Sequence, residues 1–200
     1  MTTPGATTPL VRRALKLEYF TITWNAVEGM VAIGAGIAAG SIALVGFGFD
    51  SSIEGFAASV VVWQLRGAQD GEREQRALRL IAVTFFILAG YVIFESVRDL
   101  VTNSEPETSI VGIVVAIVSL IVMPTLGFAK KRLAEQMGSQ VLRADAAETF
   151  LCSWLSVILL AGLALNATVG WWWADPLAAL GIAALAISEG KEAWDGEDDD

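Results

Sequence analysis

Residues 110–129 read IVGIVVAIVSLIVMPTLGFA, a run without one charged side chain. Crossing a bilayer takes roughly 20 mostly apolar residues in a helix, since lipid offers unpaired backbone groups no hydrogen-bond partner. This run therefore predicts a transmembrane helix, and it sets the solvent in which its neighbours must be read. Upstream, LIAVTFFILAGYVIF (80–94) is a second such run, closed by Glu95, Arg98 and Asp99. The stretch from Tyr19 to Leu65 holds two spans, with a turn predicted at Ala39-Gly40-Ser41. Downstream, Ala144 to about Ala167 makes a fifth span. A sixth opens at Gly170 with three tryptophans and Asp175-Pro176 and runs to Ser188. Arg66 to Leu78 and Lys130 to Arg143 read as polar connectors. The predicted fold class is all-α, a polytopic membrane protein of six transmembrane helices.

Composition agrees. Of 200 residues, 54% are hydrophobic and 18% charged, too apolar for a soluble domain or a disordered chain. Thirteen Lys and Arg against twenty-two Asp and Glu give 13 − 22 = −9, and no basic stripe tracks phosphates, so nucleic acid is not an expected partner. A single cysteine excludes an intrachain disulfide. The lack of histidine removes the usual proton shuttle, the commonest metal ligand and any Ser/His or Cys/His catalytic arrangement. With no HExxH or GxGD signature either, no enzyme is expected.

Basic residues orient the spans. Arg12, Arg13 and Lys16 precede the first helix, Arg66, Arg73, Arg76 and Arg79 flank the first connector, and Lys130, Lys131, Arg132 and Arg143 flank the second. Lys191 follows the sixth helix, and Arg98 alone falls on the other side. Basic loops stay cytoplasmic, so both termini and both connectors are expected there, with Trp171 to Trp173 forming an aromatic belt opposite. The start lacks a cleavage pattern and reads as a tail rather than a secretory signal. The expected organisation is a cytoplasmic tail (1–16), a six-helix transmembrane domain (17–190) and an acidic cytoplasmic tail (191–200).

Charges inside a membrane cost about 2.5 to 3.5 kcal/mol at mid-bilayer and mark functional sites. The second span carries Asp50 and Glu54 in GFDSSIEGF, and the fifth carries Glu148 and Cys152 in ADAAETFLC. Both pairs are spaced i, i+4, which puts two side chains on one face a turn apart. Asp145 lies a turn nearer the basic end, next to Arg143. Neither helix interior carries a basic residue to neutralise these acids, so a cation is the expected partner. Three carboxylates and a thiolate suit a tetrahedral divalent ion, with zinc favoured and Fe(II), Mn(II), Co(II) and Cd(II) open.

At these residues the chain resembles the cation diffusion facilitator (cation efflux) family. Members have six helices, cytoplasmic termini, an acid-xxx-acid pair on the second helix and a (His/Asp)-xxx-Asp pair on the fifth. SIALVGFGFDSSIEGFAAS is similar to the first pattern, RADAAETFLCS to the second, and WADPLAALGIA to the start of the sixth helix. Glu148 and Cys152 stand where the family has His or Asp and then Asp. The connector between helices four and five lacks a His-rich run, and the chain stops soon after helix six, as in compact members without the cytoplasmic C-terminal domain. The resemblance implies a homodimer; the acidic composition and compactness suggest a multi-pass protein of a prokaryotic inner membrane.

Asn25 and Glu28 in the first span are read as a cytoplasmic gate, a support for the metal ligands or a proton site, against an interhelical hydrogen bond that fixes packing, and Asp145 in the fifth as a gate or support residue, against pairing with a cation at the interface. Glu95 with Arg98 and Asp99 reads as a helix-end salt bridge. Asp70, Glu72 and Glu74 read as a solvated charge run, Glu197 to Asp200 as a plain tail, and Gly36 with Gly40 as a packing face. The expected function is export of a divalent metal by proton-coupled antiport, with alternating access around one intramembrane site and no cofactor beyond the metal substrate. The alternative is a non-transporting metal-binding or structural membrane protein.

Overall fold

A computed structural model describes residues 9–39, 42–67, 71–102 and 110–195. These form six helices and no strand: α1 Pro9–Ala39, α2 Ile42–Arg66, α3 Gly71–Thr102, α4 Ile110–Met137, α5 Gln140–Val169 and α6 Ala174–Asp195. The fold is the predicted all-α polytopic bundle. Four helical stretches are long and apolar enough to cross a membrane, Leu44–Arg66, Gly71–Thr102, Ile110–Met137 and Gln140–Ala161. α1, with four charges in its first three turns, and α6, charged at both ends, pack along α2 and α3 respectively. The outer face of α4 exposes Ile110, Val114, Ile117, Val118 and Ile121, a surface solvated by lipid.

The helices are longer than hydropathy alone indicates. α1 begins at Pro9, inside the stretch expected to be tail, and α6 continues past Ser188 to Asp195. Both connectors are mostly helix, because Glu, Arg, Gln, Lys, Leu and Ala are strong helix formers in water as well as in lipid. Hydropathy finds where a helix leaves the membrane, not where it stops. The break between α4 and α5 is only Gly138-Ser139. Gly138 takes φ 62°, Ser139 N–H donates to Ala134 O at 3.1 Å, and Ser139 Oγ caps α5 by accepting from Leu142 N–H at 3.2 Å.

Successive helices reverse direction, so the bundle has a terminus-bearing end and a far end. α1 pairs with α2, α3 with α6 and α4 with α5, while α2 and α5 touch at the centre. The apolar core joins Ile81, Phe85, Leu88 and Val92 of α3 to Ile182 and Ala186 of α6 and to Val61 of α2. α1 meets α2 closely at Gly48, where a Cβ would lie 2.6 Å from Ile33 Cγ1 and 2.9 Å from Gly29 O. That approach lies lower on α1 than the Gly36 face singled out in the sequence. At the far end Trp171 and Trp173 stack 5.5 Å apart and are exposed. Gly40 and Ser41 of the predicted turn, Asp70, Glu105, Glu107 and Glu197 to Asp200 lie outside the described residues.

Candidate metal centre

Four helices turn polar stripes inward. On α1, Glu18, Thr21, Asn25 and Glu28 follow the i, i+3, i+7, i+10 spacing of one helix face, and all are buried. On α5 the stripe is Asp145, Glu148, Thr149, Cys152, Ser153 and Ser156; on α2 it is Asp50, Ser51 and Glu54; on α4 it is Ser119 and Lys130. Such faces can be buried in lipid only against each other.

The two pairs expected from the sequence meet in this seam. Asp50, Glu54, Glu148 and Cys152 are at most 4% exposed. Because α2 and α5 run antiparallel, Asp50 lies level with Cys152 and Glu54 with Glu148. The Cys152 thiol donates to Asp50 and lies beside Glu54, and Glu148 faces both Glu54 and Asp50. Thr84 of α3 donates to Glu148 Oε2 at 3.2 Å. Asp50 Oδ2, both Glu54 oxygens and Glu148 Oε1 are buried without a hydrogen-bond partner. A buried anionic oxygen without a donor is expensive, and so many together make a site short of positive charge. Among the described residues no three Cys, Asp or Glu side chains converge closely enough to hold a metal ion as they stand.

The neighbours divide differently from expectation. Glu28 joins the seam, accepting from Ser51 Oγ at 3.1 Å across the α1–α2 contact and facing Glu54. Asn25 bonds within its own helix, donating from Nδ2 to Thr21 O at 3.1 Å. Arg98 pairs with Glu95 and Asp99 at 3.0 Å each, the helix-end salt bridge that was predicted. Neither α2 nor α5 carries a basic residue in its interior, but one enters from α4, paired with Asp145 and facing Glu54. Lys130, assigned from the sequence to a connector, is carried into the core because α4 continues to Met137, and its Nζ lies 2.6 Å from Asp145 Oδ2. It also reaches Glu18 Oε2 at 3.2 Å, a residue the sequence reading passed over although its spacing to Asn25 and Glu28 marks it.

A cavity of about 110 Å³ is lined by Asp50 of the seam together with Tyr91, Glu95, Ser96 and Asp99 of α3 and Leu155 of α5.

The sequence profile of the cation efflux transmembrane domain matches residues 79–194, more than half of the chain. A protein named as an uncharacterized transporter from Synechocystis sp. is 28% identical over 160 residues, covering 75% of this chain and 52% of its own. The cation-efflux pump FieF of Shewanella oneidensis is 30% identical over 127 residues, covering 62% of this chain and 42% of its own. The chain thus spans about half the length of these curated relatives. With six helices, two facing i, i+4 pairs of acidic and thiol side chains and this match, the chain belongs to the cation efflux family.

Proposed function

We propose that the chain exports a divalent metal cation, zinc by preference, through a site formed by Asp50 and Glu54 of α2 with Glu148 and Cys152 of α5. The observation that carries this reading is the concentration of buried, unpartnered anionic oxygens between two helices whose i, i+4 pairs face each other. A dication supplies the positive charge the seam lacks, and a modest rotation of the carboxylate side chains brings donors together around it. The thiolate favours zinc and cadmium over harder ions. Likeness to a relative named as a cation-efflux pump supports the transport direction.

In this reading the basic, terminus-bearing end faces the cytoplasm. Metal binds from there as the acids and Cys152 give up protons, and leaves through the far-end cavity as protons from outside compete for the same groups. Rocking of the helices exposes the site to one side at a time, and the protein works as a homodimer in a cell membrane. Purified protein in sealed proteoliposomes tests this. Zinc flux with counter-movement of protons is expected in the wild type and is lost in Asp50→Ala and Glu148→Ala. Saturable binding without flux would make the protein a static metal binder, and undiminished transport in both variants would refute the site.

A further inference from the structure

Three charged side chains that the proposed site does not use, Lys130, Glu18 and Asp145, have no exposed surface, and Lys130 is the basic one. Its Nζ donates to Thr149 Oγ1 at 3.2 Å and forms ion pairs with Asp145 Oδ2 at 2.6 Å and Glu18 Oε2 at 3.2 Å. One side chain from α4 thereby ties α1 to α5, two helices that carry polar groups of the central seam.

The position of this cluster along the bundle gives it meaning. Asp145 precedes Glu148 by three residues on a helix that starts at the terminus-bearing end, so it lies about 4.5 Å nearer that end. Glu18 likewise lies well below Glu28 on α1. Thr149, which accepts from Lys130, also contacts Glu54, so the ammonium stands directly under the acids. On the far-end side, one cavity is lined by Asp50 together with Glu95 and Asp99, in the last two turns of α3. At the terminus-bearing end the cavity between α3, α5 and α6, about 40 Å³, touches Arg143, Glu189 and Glu192 and none of the seam acids.

We infer that Lys130 is the bolt of a gate: its ammonium, bridging Glu18 and Asp145, holds the terminus-bearing end closed, and that end opens only when Lys130 releases one of them. A cation approaching from that side repels the ammonium and competes for the same carboxylates, so its arrival favours opening. An ion pair suits a gate because its geometry is bistable. Breaking it strands buried charge, whereas exchanging one cation for another does not.

Cys152 is the chain's single cysteine and sits above the cluster, so it reports access without a second mutation. The test uses membrane vesicles sealed in either orientation, scored by protease access to a C-terminal tag, and the rate at which an impermeant methanethiosulfonate modifies Cys152 without added metal. Wild-type protein should react from the far face and be protected from the terminus-bearing face. Lys130→Met and Asp145→Asn should each raise the rate from the protected face by about tenfold or more. The swap of Lys130→Asp with Asp145→Lys should restore protection. Equal wild-type rates from both faces, or protection unchanged in either folded single variant, would overturn the inference. Should both single variants fail to fold, a swapped protein that folds and is protected supports the bolt, and one that folds unprotected overturns it. Because metal is absent throughout, the gate and the metal assignment fail separately.

Discussion

Asp50→Asn separates a ligand from a packing residue, because the two roles predict opposite signs of stability. Asp50 and Glu54 stand one helical turn apart, with Glu28 facing the same seam. At about 6 Å and an effective dielectric of about 20, two carboxylates repel by roughly 332/(20 × 6), or about 2.8 kcal/mol. The amide keeps the side chain's shape and removes this repulsion. It also weakens the bond from the Cys152 thiol from charge-assisted to neutral, a loss of about 1 kcal/mol. The metal-free variant should be about 2 kcal/mol more stable, which raises the apparent melting temperature by about 4–8 °C for a chain of this length. Zinc at about a hundred times its dissociation constant should stabilise the wild type by about 2.7 kcal/mol. If the variant binds about a hundredfold more weakly, this falls to about 0.4 kcal/mol. Tryptophan fluorescence on heating in detergent, with and without zinc, reads both quantities. A variant that is less stable without metal and keeps the full zinc shift would show that Asp50 serves packing.

Cys152→Ser should lower the cadmium-induced shift far more than the manganese-induced one, since only the softer ion gains from sulfur; equal losses in parallel melts would remove the thiolate from the ligand set. Lowering the pH from about 7.5 to about 5.5 should shrink the zinc-induced shift, because carboxylates and thiol bind metal only when deprotonated and protons compete with it. Calorimetric titration at the two pH values checks the sign, and tighter binding in acid would contradict it. Gly48→Ala should destabilise by about 1–3 kcal/mol, its new methyl meeting Ile33 Cγ1 at 2.6 Å, whereas Gly34→Ala, with nothing within 4 Å, should stabilise by about 0.5–1 kcal/mol. Denaturation of the pair in mixed micelles tests where α1 and α2 touch.

The six helices were legible because hydropathy over twenty residues is a strong signal in a chain so apolar. The i, i+4 pairs were legible because acids stand out in apolar surroundings. What hydropathy concealed was the reach of the helices into water. Reading Lys130 as the start of a connector hid the one buried cation among the described residues, for its inward aim follows only once α4 is known to continue to Met137. Glu18 was hidden because the first span was read from Tyr19, one residue beyond it. Its spacing to Thr21, Asn25 and Glu28 becomes visible only when α1 is drawn from Pro9. The hydrogen bond from Thr84 to Glu148 joins residues 64 apart in sequence, a contact that no periodicity encodes.

X-ray absorption at the zinc edge of the purified, zinc-loaded protein tests the four-ligand centre most directly. One sulfur at about 2.3 Å with three oxygen neighbours at about 2.0–2.2 Å is expected. The sulfur shell should vanish in Cys152→Ser, and one oxygen should exchange for water in Glu148→Ala. A zinc spectrum with oxygen neighbours alone, unchanged by either substitution, would contradict the centre.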